Sequence, residues 1–187
     1  MGNAMTEGVA LVVVDVQRAF DDPSWGTRNN PAAESNVQRL LSHWRTAGGP
    51  IFHIWHRSDR PESLFSPEHI GYGVKPEAQP VGAEPIITKA VNSAFIGTDL
   101  EEQLRRGDIS SVVICGITTD HCVSTTARMA GNLGFTVTVV SDATATFDRT
   151  GPDGRHWTAS EMHDSALASL NGEFASVRKT DAVLGSD

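Results

Sequence analysis

The run Val9-Ala-Leu-Val-Val-Val14 carries no polar side chain and is mostly β-branched. A strand with one wet face alternates apolar and polar residues, whereas a strand apolar at every position is buried on both faces. Five more short runs have strand character: Ile51-Phe-His-Ile-Trp-His56, Ile86-Ile-Thr88, Ser111-Val-Val-Ile-Cys115, Phe135-Thr-Val-Thr-Val-Val140 and Phe174-Ala-Ser-Val177. Helical signals separate most of them. Asn30-Pro31 reads as an N-cap followed by a first-turn proline, and Val37, Leu40, Leu41 and Trp44 follow at helical spacing until Gly48-Gly49. Thr98-Asp-Leu-Glu101 and Thr158-Ala-Ser-Glu161 are capping-box patterns, with stops at Gly107 and Asn171-Gly172. Thr119 to Gly131 reads as a further helix. Strands alternating with helices predict right-handed crossovers and an α/β three-layer sandwich, a mostly parallel six-stranded sheet with helices on both faces.

The length of 187 residues suits a single domain, expected over 5–187, with Met1 to Ala4 read as a cloning remnant. The long stretch from Arg57 to Pro85 breaks the alternation; it holds five of the nine prolines and no helical or strand period, which marks it as functional or as a lid or subunit contact. A formal net charge of -8 without a basic block argues against nucleic-acid and anionic-membrane partners. Two cysteines exclude a disulfide scaffold and a four-cysteine zinc site. No apolar run approaches a bilayer span and no leader pattern is evident, so a cytoplasmic protein is expected. Neither phosphate-cradling glycine motif follows a strand, and no cofactor is expected.

In an open parallel sheet the ligand crevice lies beyond the carboxyl ends of the strands. Asp15 follows the first strand, His56 ends the second, Lys89 follows the third, and Gly116-Ile-Thr-Thr-Asp-His-Cys122 follows the fourth. An acid, a cation and a thiol thus meet at one edge. A free thiol has a pKa of about 8.5. A helix N-terminus and a neighbouring ammonium both favour its thiolate. Asp15 is placed to take the thiol proton and return it to a leaving group. Backbone N–H groups around Thr118 and Cys122 are free to face a developing oxyanion. Cys115 lies within a strand and reads as core.

Taken together, Val12-Val-Val-Asp15-Val-Gln17 with Phe20, the Thr88-Lys89 step, Asn92-Ser-Ala-Phe95, Gly116-Ile-Thr-Thr-Asp-His-Cys122-Val-Ser-Thr-Thr-Ala127-Arg and Val139-Val-Ser-Asp142-Ala143 resemble the isochorismatase-like cysteine hydrolases. That family includes nicotinamidases and N-carbamoylsarcosine amidases, and the resemblance runs from about Val9 to Val177. It implies Asp15 as general acid/base, Lys89 as supporting cation and Cys122 as nucleophile. It implies a non-proline cis peptide at Ile117–Thr118 and an oxyanion hole from the Thr118 and Cys122 amides. The reaction implied is hydrolysis of a small carboxamide through a thioester, in a homodimer or homotetramer. The isochorismatase branch lacks the cysteine, so Cys122 favours the amide-hydrolase branch. Nicotinamidases carry Asp-x-His at the end of the second strand. Here Ile54 takes the Asp position, His53 and His56 point to opposite faces, and His69 brings no carboxylate, so no metal is expected and nicotinamide is less favoured.

Phe20, Trp25, Trp55, Phe65, Phe95 and His121 are candidates to line the substrate pocket. Two readings compete with the amidase. One is a phosphoryl-transfer protein using Asp15, weakened because Gln17 supplies no second carboxylate for Mg²⁺. The other is a binding protein that keeps the trio without turnover. A non-amide substrate of the isochorismatase type is a further alternative.

Overall fold

The computed structural model describes residues 8–185, so the reading of Met1 to Ala4 lies outside the described residues. Six strands form one parallel sheet: β1 (Val9–Val14), β2 (Ile51–His56), β3 (Ile86–Lys89), β4 (Ser111–Ile117), β5 (Thr136–Ala145) and, last in the chain, β8 (Ser176–Arg178). Their order across the sheet is β3-β2-β1-β4-β5-β8. The direction of winding therefore reverses between β1 and β4, the position at which such sheets open a crevice. A small antiparallel hairpin, β6 (Arg149–Thr150) with β7 (His156–Trp157), lies outside it.

Period two along the strands divides the core into two layers. Ala10, Val12, Val14, Phe52, Ile54, Val112, Ile114, Val137 and Val139 face α2 (Leu100–Arg106), α3 (Ser124–Asn132) and α4 (Ala159–Leu170). Leu11, Val13, Ile51, Val113 and Cys115 face α1 (Ala33–Ala47), through its buried Val37, Leu40, Leu41 and Trp44; α5 (Thr180–Leu184) packs on the same layer. This is the three-layer sandwich anticipated, with every pairing in the main sheet parallel. No helix among the described residues is long and apolar enough to cross a membrane.

Residues 57–85 have a structural duty. A parallel β2–β3 pair requires a crossover, and this segment supplies it without a helix, burying Val74 and Ala78 against the α1 layer. Two single 3₁₀ turns, Ile70–Tyr72 and Pro76–Ala78, shape it. Lys75 ties it down, its ammonium reaching Asp21 at 2.5 Å and Glu34 at 2.7 Å.

Several local expectations shift. Asn30 does not cap α1. It adopts φ +44° and gives its side-chain amide to the carbonyls of Ser141 and Thr144, at 3.0 and 2.8 Å, so the helix begins at Ala33. The Thr158–Glu161 capping box forms, but the one at Thr98 does not. The Thr98 hydroxyl turns back to the Ala94 carbonyl at 2.5 Å, and Glu101 pairs with Arg105 along α2. The helix expected from Thr119 starts as a π-helical turn, Thr119–Val123, before α3. β5 runs five residues past Val140, with a register shift against β4 between Ile114 and Gly116. β8 begins at Ser176 because Phe174 lies in the preceding turn, its ring 4.5 Å beneath the Arg128 guanidinium.

Candidate active site

Four strand ends build the site. Asp15 directly follows β1, its amide bonded to Ile54 O at 2.8 Å. Its φ of +51° lies in the left-handed region, where Asp is better tolerated than most side chains. Lys89 closes β3, and its side chain has no exposed surface. The ammonium lies 2.6 Å from Asp15 Oδ2, 3.1 Å from His56 Nδ1 and 3.3 Å from Cys122 Sγ. A lysine has three N–H donors and these are three acceptors, so the cation is saturated without water. Asp15 Oδ1 is buried and has no hydrogen-bond partner. A carboxylate oxygen of Asp15, a ring nitrogen of His56 and the Cys122 sulfur lie within 4.8 Å of one another.

β4 delivers the fourth component. Gly116 has φ +123°, and a Cβ there would lie 1.9 Å from Val14 O. Glycine alone lets β4 pass this close to the end of β1, one residue before Asp15. The Ile117–Thr118 peptide is cis, as the family resemblance implies. The π-helical turn then carries Cys122. Such turns are rare and concentrate at functional sites. The amides of His121 and Val123 both donate to Thr118 O, at 3.3 and 3.1 Å; the Cys122 amide between them is not among those donors. The turn is braced from outside. Asp120 accepts from Thr146 Oγ1 and, at 3.2 Å, from Arg149 Nε, while Thr119 Oγ1 lies 2.9 Å from His163 Nδ1.

The thiol of Cys122 is pushed up to about 12, first by burial and then by the charge of Asp15, with Lys89 pulling the other way. Asp15 and Lys89 form a neutral pair, so the cation's attraction for the sulfur is offset by the carboxylate and desolvation decides. Cys115, fully buried in β4, is likewise raised by burial.

A cavity of about 140 Å³ opens onto Cys122 and Asp15. Phe20, Trp25, Phe65 and His121 line it as expected, together with His56, Asn92 and Thr118. The aromatic wall is self-supporting: the Phe20 ring lies 5.0 Å from Trp25, 5.2 Å from Phe65 and 6.0 Å from Phe147. Two expected pocket residues are elsewhere. Trp55 has the parity of the α1 layer and packs edge-on to Tyr72 at 5.8 Å. Phe95 stacks on Phe135 at 6.0 Å, in the layer beside α2 and α3. Asn92 was not among the pocket candidates, although it opens the Asn92-Ser-Ala-Phe95 segment that carries part of the resemblance. Phe147 backs Phe20 from behind the cavity wall, and nothing local marked it.

The end of β2 does not fit a metal. Ile54 is buried in the apolar core. His53, on the opposite face, lies 2.8 Å from Glu84, whose carboxylate also receives Arg45 at 2.7 Å. His69 Nδ1 accepts the Gly71 amide at 2.9 Å. The three ligand-type atoms that do converge, from Asp15, His56 and Cys122, already face the Lys89 ammonium.

A doubly wound parallel domain with a buried carboxylate–ammonium pair beside a free thiol at its switch point is thereby defined. The isochorismatase domain model matches residues 9–182, and the chain belongs to the isochorismatase family. It is 49% identical over 180 residues to the isochorismatase family protein YrdC of Bacillus subtilis, covering 96% of each chain. It is 28% identical over 179 residues to nicotinamidase 3 of Arabidopsis thaliana, covering 89% of this chain and 82% of that one. An isochorismatase-family structure from Chromobacterium violaceum superposes with a TM-score of 0.94 at 42% identity, over 100% of this chain and 96% of the other.

Proposed function

We propose that this member of the isochorismatase family is a cysteine-dependent hydrolase that cleaves the C–N bond of a small carboxamide through a thioester. The observation that carries the proposal is the buried Lys89 ammonium within hydrogen-bond distance of both the Asp15 carboxylate and the Cys122 sulfur, two groups that line a small cavity. The likeness to a nicotinamidase adds weight to an amide as substrate.

The chemistry follows from charge. Burial and the Asp15 charge favour the protonated thiol of Cys122 as the starting form. Its proton leaves for Asp15 as sulfur attacks the carbonyl carbon. The oxyanion that forms faces the Thr118 and Cys122 amides; one lost donor of that kind costs about 3–4 kcal/mol of barrier. Collapse breaks the C–N bond, and Asp15 passes its proton to the departing ammonia or amine. Asp15 then takes a proton from water as the hydroxide adds to the thioester. The second collapse returns the proton to sulfur and releases the carboxylic acid. Throughout, the Lys89 ammonium stays in hydrogen-bond contact with both the Asp15 carboxylate and the sulfur. Phe20, Trp25 and Phe65 shape the site for an apolar or flat substrate body.

The test is intact-protein mass spectrometry after incubation with a mixed library of small amides, with ammonia release measured in parallel. An acyl mass on Cys122, lost in Cys122→Ala together with turnover, is the expected result. Substantial turnover by a folded Cys122→Ala protein would overturn the proposal.

A further inference from the structure

The hydrolase mechanism assigns no task to His56, yet His56 is among the most constrained side chains of the site. Gln17 grips its backbone from both sides: the His56 amide donates to Gln17 Oε1 at 2.7 Å, and Gln17 Nε2 donates to His56 O at 3.0 Å. The edge of Phe65 meets its ring at 5.0 Å, nearly perpendicular. Its Nδ1 lies 3.1 Å from the Lys89 ammonium. An ammonium only donates, so at that distance Nδ1 must be the unprotonated, accepting nitrogen. The ring's one proton is then on Nε2. Among the described residues Nε2 makes no hydrogen bond, and the ring lines the cavity.

We infer that His56 is a positioning residue that, as the neutral Nε2–H tautomer, accepts the third N–H of Lys89 at Nδ1 and so fixes the ammonium between Asp15 and Cys122, leaving Nε2–H as the donor this wall offers to a substrate. The inference deepens the hydrolase reading and rests on it for its consequence, though not for the tautomer itself.

The charged and titratable groups that face the ring come from three elements: Asp15 from the end of β1, Lys89 from β3 and Cys122 from the π-helical turn. A proton on Nδ1 would remove the acceptor and set a second cation 3.1 Å from the first. Burial and the Lys89 charge accordingly hold the imidazole's pKa below its ordinary value, against the weaker pull of Asp15. At neutral pH the cation count of the site stays at one, and the cation stays where the sulfur needs it.

Two measurements test this, and the first needs no substrate. Long-range ¹H–¹⁵N correlation spectra of the wild-type protein at pH 7, assigned with His56→Asn, report the ring's protonation. The neutral Nε2–H form is expected; an imidazolium or an Nδ1–H tautomer would overturn the inference. The second is the rate of Cys122 alkylation by iodoacetamide, read by mass. His56→Leu removes the acceptor and is expected to slow alkylation by about tenfold or more, the loss of a hydrogen bond to a charged group. His56→Asn offers a carbonyl near the place of Nδ1 and is expected to stay within about threefold of wild type. Equal rates in wild type and the Leu variant would refute the positioning role. If His56 shows the expected tautomer while no amide is ever turned over, the hydrolase reading fails and the positioning role stands. Amide turnover by a protein whose His56 is protonated would do the opposite, sinking the positioning role and keeping the hydrolase.

Discussion

Replacing Lys89 with Met leaves volume nearly unchanged and removes one charge from a pair that is 0% and 1% exposed. At 2.6 Å the Coulomb attraction in an effective dielectric of about 20 is about 6 kcal/mol. Much of it is cancelled by the desolvation of both ions, and losing one partner of a buried pair costs about 3–5 kcal/mol because the other stays buried and unpaired. That is a large part of the roughly 5–15 kcal/mol that holds a domain together. With a urea slope of about 2 kcal/mol/M, the unfolding midpoint should fall by roughly 2 M. Tryptophan fluorescence will follow it. Asp15→Asn should be costly for the converse reason. The double variant Asp15→Asn/Lys89→Met removes both charges and should cost at least about 2 kcal/mol less than the sum of the singles. A Lys89→Met midpoint within about 0.5 M of wild type, or a double variant whose cost equals the sum, would refute the view that the pair is mutually dependent and dry.

Gly116→Ala should destabilise by more than about 4 kcal/mol, since the new methyl overlaps a backbone carbonyl that cannot yield; melting within a few degrees of wild type would contradict the strand approach described. Stability should fall on acidification in two stages. His53, His56 and His163 are depressed from 6.5, chiefly by burial, so the unfolded chain takes up their protons first and stability drops as pH falls below about 6.5. Glu34 and Glu84, each held at about 2, add a second loss as pH falls from about 4.5 toward 2. Denaturation midpoints unchanged between pH 7.5 and 5.5 would refute the first stage. Thr158→Ala should cost about 1 kcal/mol through its lost cap. At Thr98 the capping box is absent, so a cost to Thr98→Ala would trace to the hydroxyl's contacts with the Ala94 carbonyl and the Leu100 amide and should survive in a Glu101→Ala background.

The parallel sheet, its two helical layers and the meeting of Asp15, Lys89 and Cys122 were legible because each is a local pattern with a fixed geometric consequence. A strand apolar on both faces needs two covers, and the chain leaving its carboxyl end enters the crevice. Position at a strand end misled at Trp55, whose parity sets it on the α1 layer while its neighbour His56 lines the cavity. Asn30 and Thr98 carried cap chemistry that carbonyls distant in sequence or one turn back claimed instead.

The amino-acid order alone thus specified which residue types reach the crevice and that one of them is a thiol. Tertiary structure decided which way burial and neighbouring charges push that thiol, because both are sums over segments that meet only on folding. It also decided that His56 turns its Nδ1 to Lys89. Distance to a cation sets a ring's tautomer, and no spacing along the chain encodes that distance.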